Sequence, residues 1–277
     1  MNRIFELEAQ NLQDTWSILY LFLSKALLQA HHDGESALRA TVRLYGSYIG
    51  TAERNEQQRT GKKINLANFY MFPHYRFYDP RLYASQQQLN EQVALFDVIR
   101  CPFARMMKLY NGETEGKVFC EEYTAACIEA YTEKIAQVNV SEVLTEPQDT
   151  HCRIASYYRP GNFGTGWKET SFNSFAEEPV TAELHQELNQ ASMIWHQSAE
   201  YLVRAFSQFE TNIAWPEEAL SAGIEMLASF LKMRASSMER PIDLDFLSRN
   251  CALNTSTPEV TPLTKQLYQK LLAVLEL

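Results

Sequence analysis

The sequence predicts an α+β chain: a small antiparallel sheet packed with helices, followed by an all-helical C-terminal region. Three observations lead there. Apolar residues recur at three- and four-residue steps from Leu12 to Leu27 and again from Leu184 to Phe206, the spacing of amphipathic helices. Between these regions, Glu91 to Arg100 (EQVALFDVIR) carries apolar side chains at both parities, the pattern of a strand covered on both faces. Two more strand-like stretches, Lys134 to Thr145 and Thr150 to Arg159, flank the turn Pro147-Gln148-Asp149. So tight a link pairs neighbouring strands antiparallel.

The elements follow in order. A first helix carries Leu12, Trp16, Leu19, Phe22, Leu23 and Leu27 and stops at Asp33-Gly34. A second runs from Glu35 to Arg59 through Leu38, Val42, Tyr45 and Ile49. The aromatic stretch NFYMFPHYRFYDPRLY cannot be one regular element, because Pro73 and Pro80 interrupt it. Its rings either pack over the core or wall a pocket that stacks on a flat substrate. After the strand at 91–100, Phe103 to Tyr110 reads as a short helix closed by Asn111-Gly112, and Glu115 to Tyr131 as a longer one. The segment PGNFGTGWKETSFNSF has linker composition and lacks a dinucleotide fingerprint. Trp215-Pro216-Glu217-Glu218 opens a further helix, with proline and carboxylates in its first turn. Leu263, Leu267, Leu271 and Val274 or Leu275 stripe the last one. This divides the chain into an α+β core at 1–160, a linker at 161–180 and a helical extension at 181–277.

Composition excludes several function classes. The chain has 277 residues, 45% of them hydrophobic, with a formal net charge of -9 and a pI near 5.3. That is enough apolar material for a core, and the acid excess argues against a nucleic-acid surface. The first ten residues lack the apolar stretch of an export signal, and Ser24 and Lys25 interrupt the most apolar early run. The expectation is a cytoplasmic protein that makes no membrane contact. Five cysteines without a C-x-x-C pair read as reduced thiols rather than a disulfide framework.

Cys101 is the first chemical candidate. Pro102 suits the first position of a helix, which puts Cys101 at or beside the N-cap. Unpaired amides there favour a thiolate, and Arg100 and Arg105 bring positive charge nearby; the alternative is a buried, inert filler. Cys120 and Cys127 lie seven apart on one helix and share a face. Cys127 has core neighbours, whereas Cys120 precedes Glu121-Glu122, a solvated acidic face or a source of a general base. On the last strand, alternation sends Cys152 to one face with Ile154 and Ser156, and His151 to the other with Arg153. His151 is a surface residue or, with Arg153, a clamp for a carboxylate. The remaining histidines have no metal-ligand spacing, and no metal or cofactor is expected.

The order "RCPFARMMKLYNG", "KVFCEEYTAACIEAY", "VLTEPQDTHCRIASYY" resembles the central region of the L-2-amino-thiazoline-4-carboxylic acid hydrolase family, over roughly residues 90 to 160. The resemblance places Cys101, Cys120 and Cys152 on the family's three cysteine positions, and Thr145 and Asp149 on its threonine and turn positions. Tyr123 stands where the family has an acid, with Glu122 one position earlier. It implies hydrolytic opening of a small sulfur- and nitrogen-containing ring that bears a carboxylate. In that chemistry Cys101 attacks an amidine-like carbon, Glu122 manages protons, and Arg153 or His151 holds the substrate carboxylate. Cys120 and Cys152 join the catalytic set, with Tyr123, Thr145 and Asp149 toward the substrate. The expected partner is a small molecule, and long apolar helix faces leave room for a homodimer. The competing reading is a non-catalytic ligand-binding or interaction protein with structural cysteines.

Overall fold

The computed structural model describes residues 3–75, 79–162, 164, 188–208 and 215–277. Among these the chain is α+β, with nine helices and one four-stranded antiparallel sheet. Its contacts partition into two compact units. One comprises Met1–Thr41, Pro102–Gly116 and Gln186–Leu277; the other comprises Val42–Cys101 and Lys117–His185. This is not a division at 160 and 181. The first helix belongs with the C-terminal helices because its side chains are buried among them. The expected linker at 161–180, the start of the stripe at Leu184, and Phe77 and Tyr78 of the aromatic stretch lie outside the described residues, apart from 161, 162 and 164.

The first unit is helical. It is built on α1 (Arg3–Ala30), which packs against α4 (Pro102–Leu109), α6 (Leu188–Ser207), α7 (Glu217–Ser237) and α8 (Leu244–Asn250), with α9 (Pro262–Leu275) against α6 and α7. The expected stripe on α1 understates its burial. Ile18, Leu19, Tyr20, Leu21, Leu23 and Ala26 are each at most 1% exposed, so α1 is enclosed on all sides. Trp16 anchors the packing, with Phe103 of α4 at 6.1 Å and Trp195 of α6 at 5.9 Å between ring centroids. The α7 backbone lies directly on Phe22, because a Cβ at Gly223 would fall 2.3 Å from the ring. Polar groups on α1 are paired: Asp14 accepts from Arg234 at 3.0 Å and Asn11 donates to Asn250 at 2.7 Å.

His196 on α6 is buried between the Cys251 carbonyl at 3.1 Å and the Ser256 hydroxyl at 3.3 Å. Burial pushes it down from the ordinary imidazole value to about 4, against the opposing pull of the Cys251 carbonyl. The unfolded chain takes up this proton near pH 6.5 and the folded chain only near 4. Stability is therefore full above 6.5, falls as pH drops through that window, and levels off below 4. The loss is about 3 kcal/mol, at about 1.4 kcal/mol per pH unit. Urea denaturation at pH 7.5 and pH 4 should show this slope in the native chain and a flatter one in His196→Gln.

The second unit holds the sheet, in the order β1-β2-β4-β3: β1 (Tyr83–Leu89), β2 (Val93–Arg100), β3 (Gln137–Glu142) and β4 (Cys152–Tyr157). Its other elements are α3 (Leu66–Met71), the part of α2 (Gly34–Arg59) from Val42 onward and the part of α5 (Glu113–Tyr131) from Lys117 onward. The antiparallel pairing of the last two strands is as expected, and Asp149 closes their connection by accepting the Val143 N–H at 2.8 Å. β1 was not anticipated. YASQQQL has no apolar alternation because it is an edge strand whose side chains are mostly exposed. β2 is also less covered than its two apolar parities imply: Ala94 is buried, but Ile99 is 41% exposed.

The aromatic stretch is tied down by one buried carboxylate. Glu53 of α2 accepts the backbone N–H of His74 at 2.9 Å and that of Tyr75 at 2.8 Å. Gln57, one turn on, accepts from the Tyr131 hydroxyl at 2.5 Å and donates to the Asn68 carbonyl at 3.1 Å. Glu53→Gln points an amide N–H₂ at backbone donors. It is expected to cost about 2 kcal/mol, read as a lower thermal midpoint.

Candidate functional site: a thiol cluster at one end of the sheet

The antiparallel pairing of β2 with β4 sets Val98 opposite Cys152. The last residues of β2 therefore lie beside the first residue of β4, and Cys101 follows β2 immediately. Helix α5 brings Cys120 to the same end. The Cys152, Cys101 and Thr145 side chains lie near enough to act electrostatically on its thiol. The Leu144 backbone N–H donates to the Cys152 sulfur at 3.1 Å. Cys101, Cys120, Cys152 and Thr145, drawn from residues 101 to 152 of the sequence, thus lie near one another within the second unit.

The cluster is electrostatically uneven. Cys120 is pushed well above the ordinary thiol range, first by the neighbouring Cys152 thiol and then by burial, with further contributions from the charge that Cys152 or Cys101 carries when ionised. The Thr145 hydroxyl pulls it the other way. Cys120 therefore keeps its proton at neutral pH. Cys152 is buried, and Cys101 is part-exposed ahead of Pro102, the first residue of α4. Among the described residues no group of three or more His, Cys, Asp and Glu side chains is placed to hold a metal ion. None of the described helices is long and apolar enough to cross a membrane.

Other residues singled out in the sequence stand elsewhere. Glu122 lies about 200° around α5 from Cys120 and is held by Arg43 at 2.5 Å, so it does not face the thiols. Arg153 pairs with Asp97 at 2.9 Å, on the face of the sheet opposite Cys152. His151 joins them, 2.9 Å from Glu142 and 3.7 Å from Asp97. The alternation read from the sequence separates these groups from the sulfurs, and the carboxylate-clamp role conflicts with it. Tyr123 stacks with Phe119 and Tyr45 at 4.7 and 5.3 Å between centroids. Asp149 acts on the backbone of its own turn.

Two features on this side of the sheet were given no role from the sequence. The Leu144 N–H is a backbone group, invisible to residue type. Ser156 is fully buried, and its hydroxyl has no hydrogen-bond partner among the described residues. It shares the Cys152 face, opposite Ala94 and Val138. Alternation along β4 locates it there, but only the closed sheet leaves it unpaired. The Thr145 hydroxyl, 2% exposed, likewise has no hydrogen-bond partner among the described residues.

No protein-family model, curated protein or solved structure matches this chain.

Proposed function

We propose that the chain is a cysteine-dependent hydrolase that opens a small cyclic amidine-like or thiazoline-type carboxylic acid, in a cytoplasmic setting that keeps its thiols reduced. One observation carries the reading: Cys101, Cys120, Cys152 and Thr145, the residues on which the family resemblance rests, converge at one end of the sheet. Cys101 is the nucleophile, being part-exposed and placed before a helix whose unpaired amides favour an anion. Its thiolate adds to the carbon between ring sulfur and nitrogen. The ring C–S bond breaks, and the departing sulfur takes a proton. Water then attacks the resulting isothiourea carbon and expels the Cys101 thiolate, leaving a carbamoyl amino thiol. Cys120 is the S–H donor beside this chemistry. Glu122, on the far side of α5 and paired with Arg43, and Arg153, paired with Asp97 on the opposite face of the sheet, take no part in this step.

Iodoacetamide near neutral pH tests the assignment. Cys101 should be alkylated at least about tenfold faster than the buried thiols, and 2-amino-thiazoline-4-carboxylate should slow it. Slow, uniform labelling would favour the non-catalytic reading. Two buried cysteines already fit that reading: Cys127 lies in the core, and burial pushes Cys251 up to about 12.

A further inference from the structure

Beyond that reading, we infer a second reactive site, within the first unit: Ser256, activated by His196, takes the acyl group of a small activated ester. Ser256 is exposed, and its hydroxyl lies 3.3 Å from Nδ1 of His196. His196 is 6% exposed, and its Nε2 lies 3.1 Å from the Cys251 carbonyl oxygen. A carbonyl oxygen can only accept, so the proton of the neutral ring sits on Nε2. Nδ1 is left with a lone pair, and the Ser256 O–H donates to it. That is the tautomer in which a histidine serves a serine as general base, with a backbone carbonyl as the orienting third group. Asn254 Oδ1 accepts the Ser256 N–H at 2.9 Å and fixes the serine backbone beside the ring. Burial keeps the imidazole neutral, with its lone pair available, at pH 7.

The same burial makes an imidazolium costly, so the leaving group has to depart readily. Aryl esters meet that demand and amides do not. Ser256 Oγ attacks the acyl carbon; a C–O bond forms, and the hydroxyl proton passes to His196 Nδ1. The bond to the aryl oxygen breaks, and His196 returns the proton to the departing phenol. Water then attacks the acyl-serine and gives a proton to Nδ1. The bond from carbon to Ser256 Oγ breaks, the carboxylic acid leaves, and Oγ recovers its proton. Water is the only co-reactant, and no atom changes oxidation state.

The test treats the full chain with an alkyl fluorophosphonate at neutral pH, followed by trypsin digestion and mass spectrometry. One phosphonyl group should appear on peptide 250–265, and fragmentation should place it on Ser256 rather than Thr255 or Thr257. Acid quenching during exposure to 4-nitrophenyl acetate should trap an acetyl group on the same oxygen. His196→Gln, which cannot take the proton, should slow phosphonylation at least about a hundredfold. An unmodified Ser256 would overturn the proposal, as would label on the neighbouring threonines or an unchanged rate in His196→Gln. Equal labelling of the folded chain and of the chain unfolded in urea would overturn it too. That last comparison uses only the native sequence, so it decides the point even if His196→Gln fails to fold. Failure of the hydrolase reading shows separately, as a Cys101 that alkylates no faster than the rest, because iodoacetamide reads sulfur and the fluorophosphonate reads a serine oxygen.

Discussion

Cys101→Ser is expected to lower the rate of 2-amino-thiazoline-4-carboxylate hydrolysis about a thousandfold or more. A serine hydroxyl stays protonated at neutral pH and is a far weaker nucleophile than a thiolate at the same place. The substitution removes little volume from a part-exposed position, so the thermal midpoint should hardly move. Cys120→Ser makes the informative contrast. Its hydroxyl keeps a protonated donor at the same place, so turnover should fall less than in Cys101→Ser. Full turnover by Cys101→Ser would rule out covalent catalysis at this residue, and equal losses in the two variants would argue that the cluster acts only as a folded unit.

Gly50→Ala should be the most destabilising single methyl in the second unit. On α2, a Cβ at Gly50 would fall 2.0 Å from the Cys127 carbonyl oxygen and 2.9 Å from its carbon. Both are backbone atoms of α5 and cannot turn aside as a side chain would. Gly46, one turn earlier, meets the Tyr123 carbonyl oxygen at 2.9 Å, so the two glycines together let the helices approach to backbone contact. Relief requires prising α2 from α5, at a cost of about 3 kcal/mol. The strain passes into the helix that carries Cys120, so iodoacetamide labelling of the buried thiols should accelerate along with the drop in thermal midpoint. Gly161→Ala is the control: its Cβ meets nothing within 4 Å, and stability should shift by no more than about 0.5 kcal/mol.

Some of this architecture was open to reading from residue order. Period and turn chemistry located the helices at 34–59 and 113–131, and the hairpin through Pro147, to within a few residues. Other features were not open to it. The polar β1 becomes a strand only because β2 offers it a hydrogen-bonding edge, and nothing in YASQQQL announces that. The apolar parities of β2 described composition rather than coverage. Within the candidate site, sequence separated Cys152 from His151 and Arg153 correctly, because strand alternation is a local rule. Glu122 shows where a local rule was not applied: two helical positions from Cys120 is the far side of α5, and Arg43 waits there.

Residue order therefore settled the classes of element and the side of the last strand on which Cys152 stands. Those follow from periodicities of two and 3.6 residues, which act over a few positions. The tertiary structure decided that Cys101, Cys120, Cys152 and Thr145 meet, that Cys120 keeps its proton, and that the first helix belongs with the last ones. Such facts depend on contacts between positions tens to hundreds of residues apart. Desolvation and hydrogen bonding at a sulfur exist only once the strands and helices that enclose it have closed.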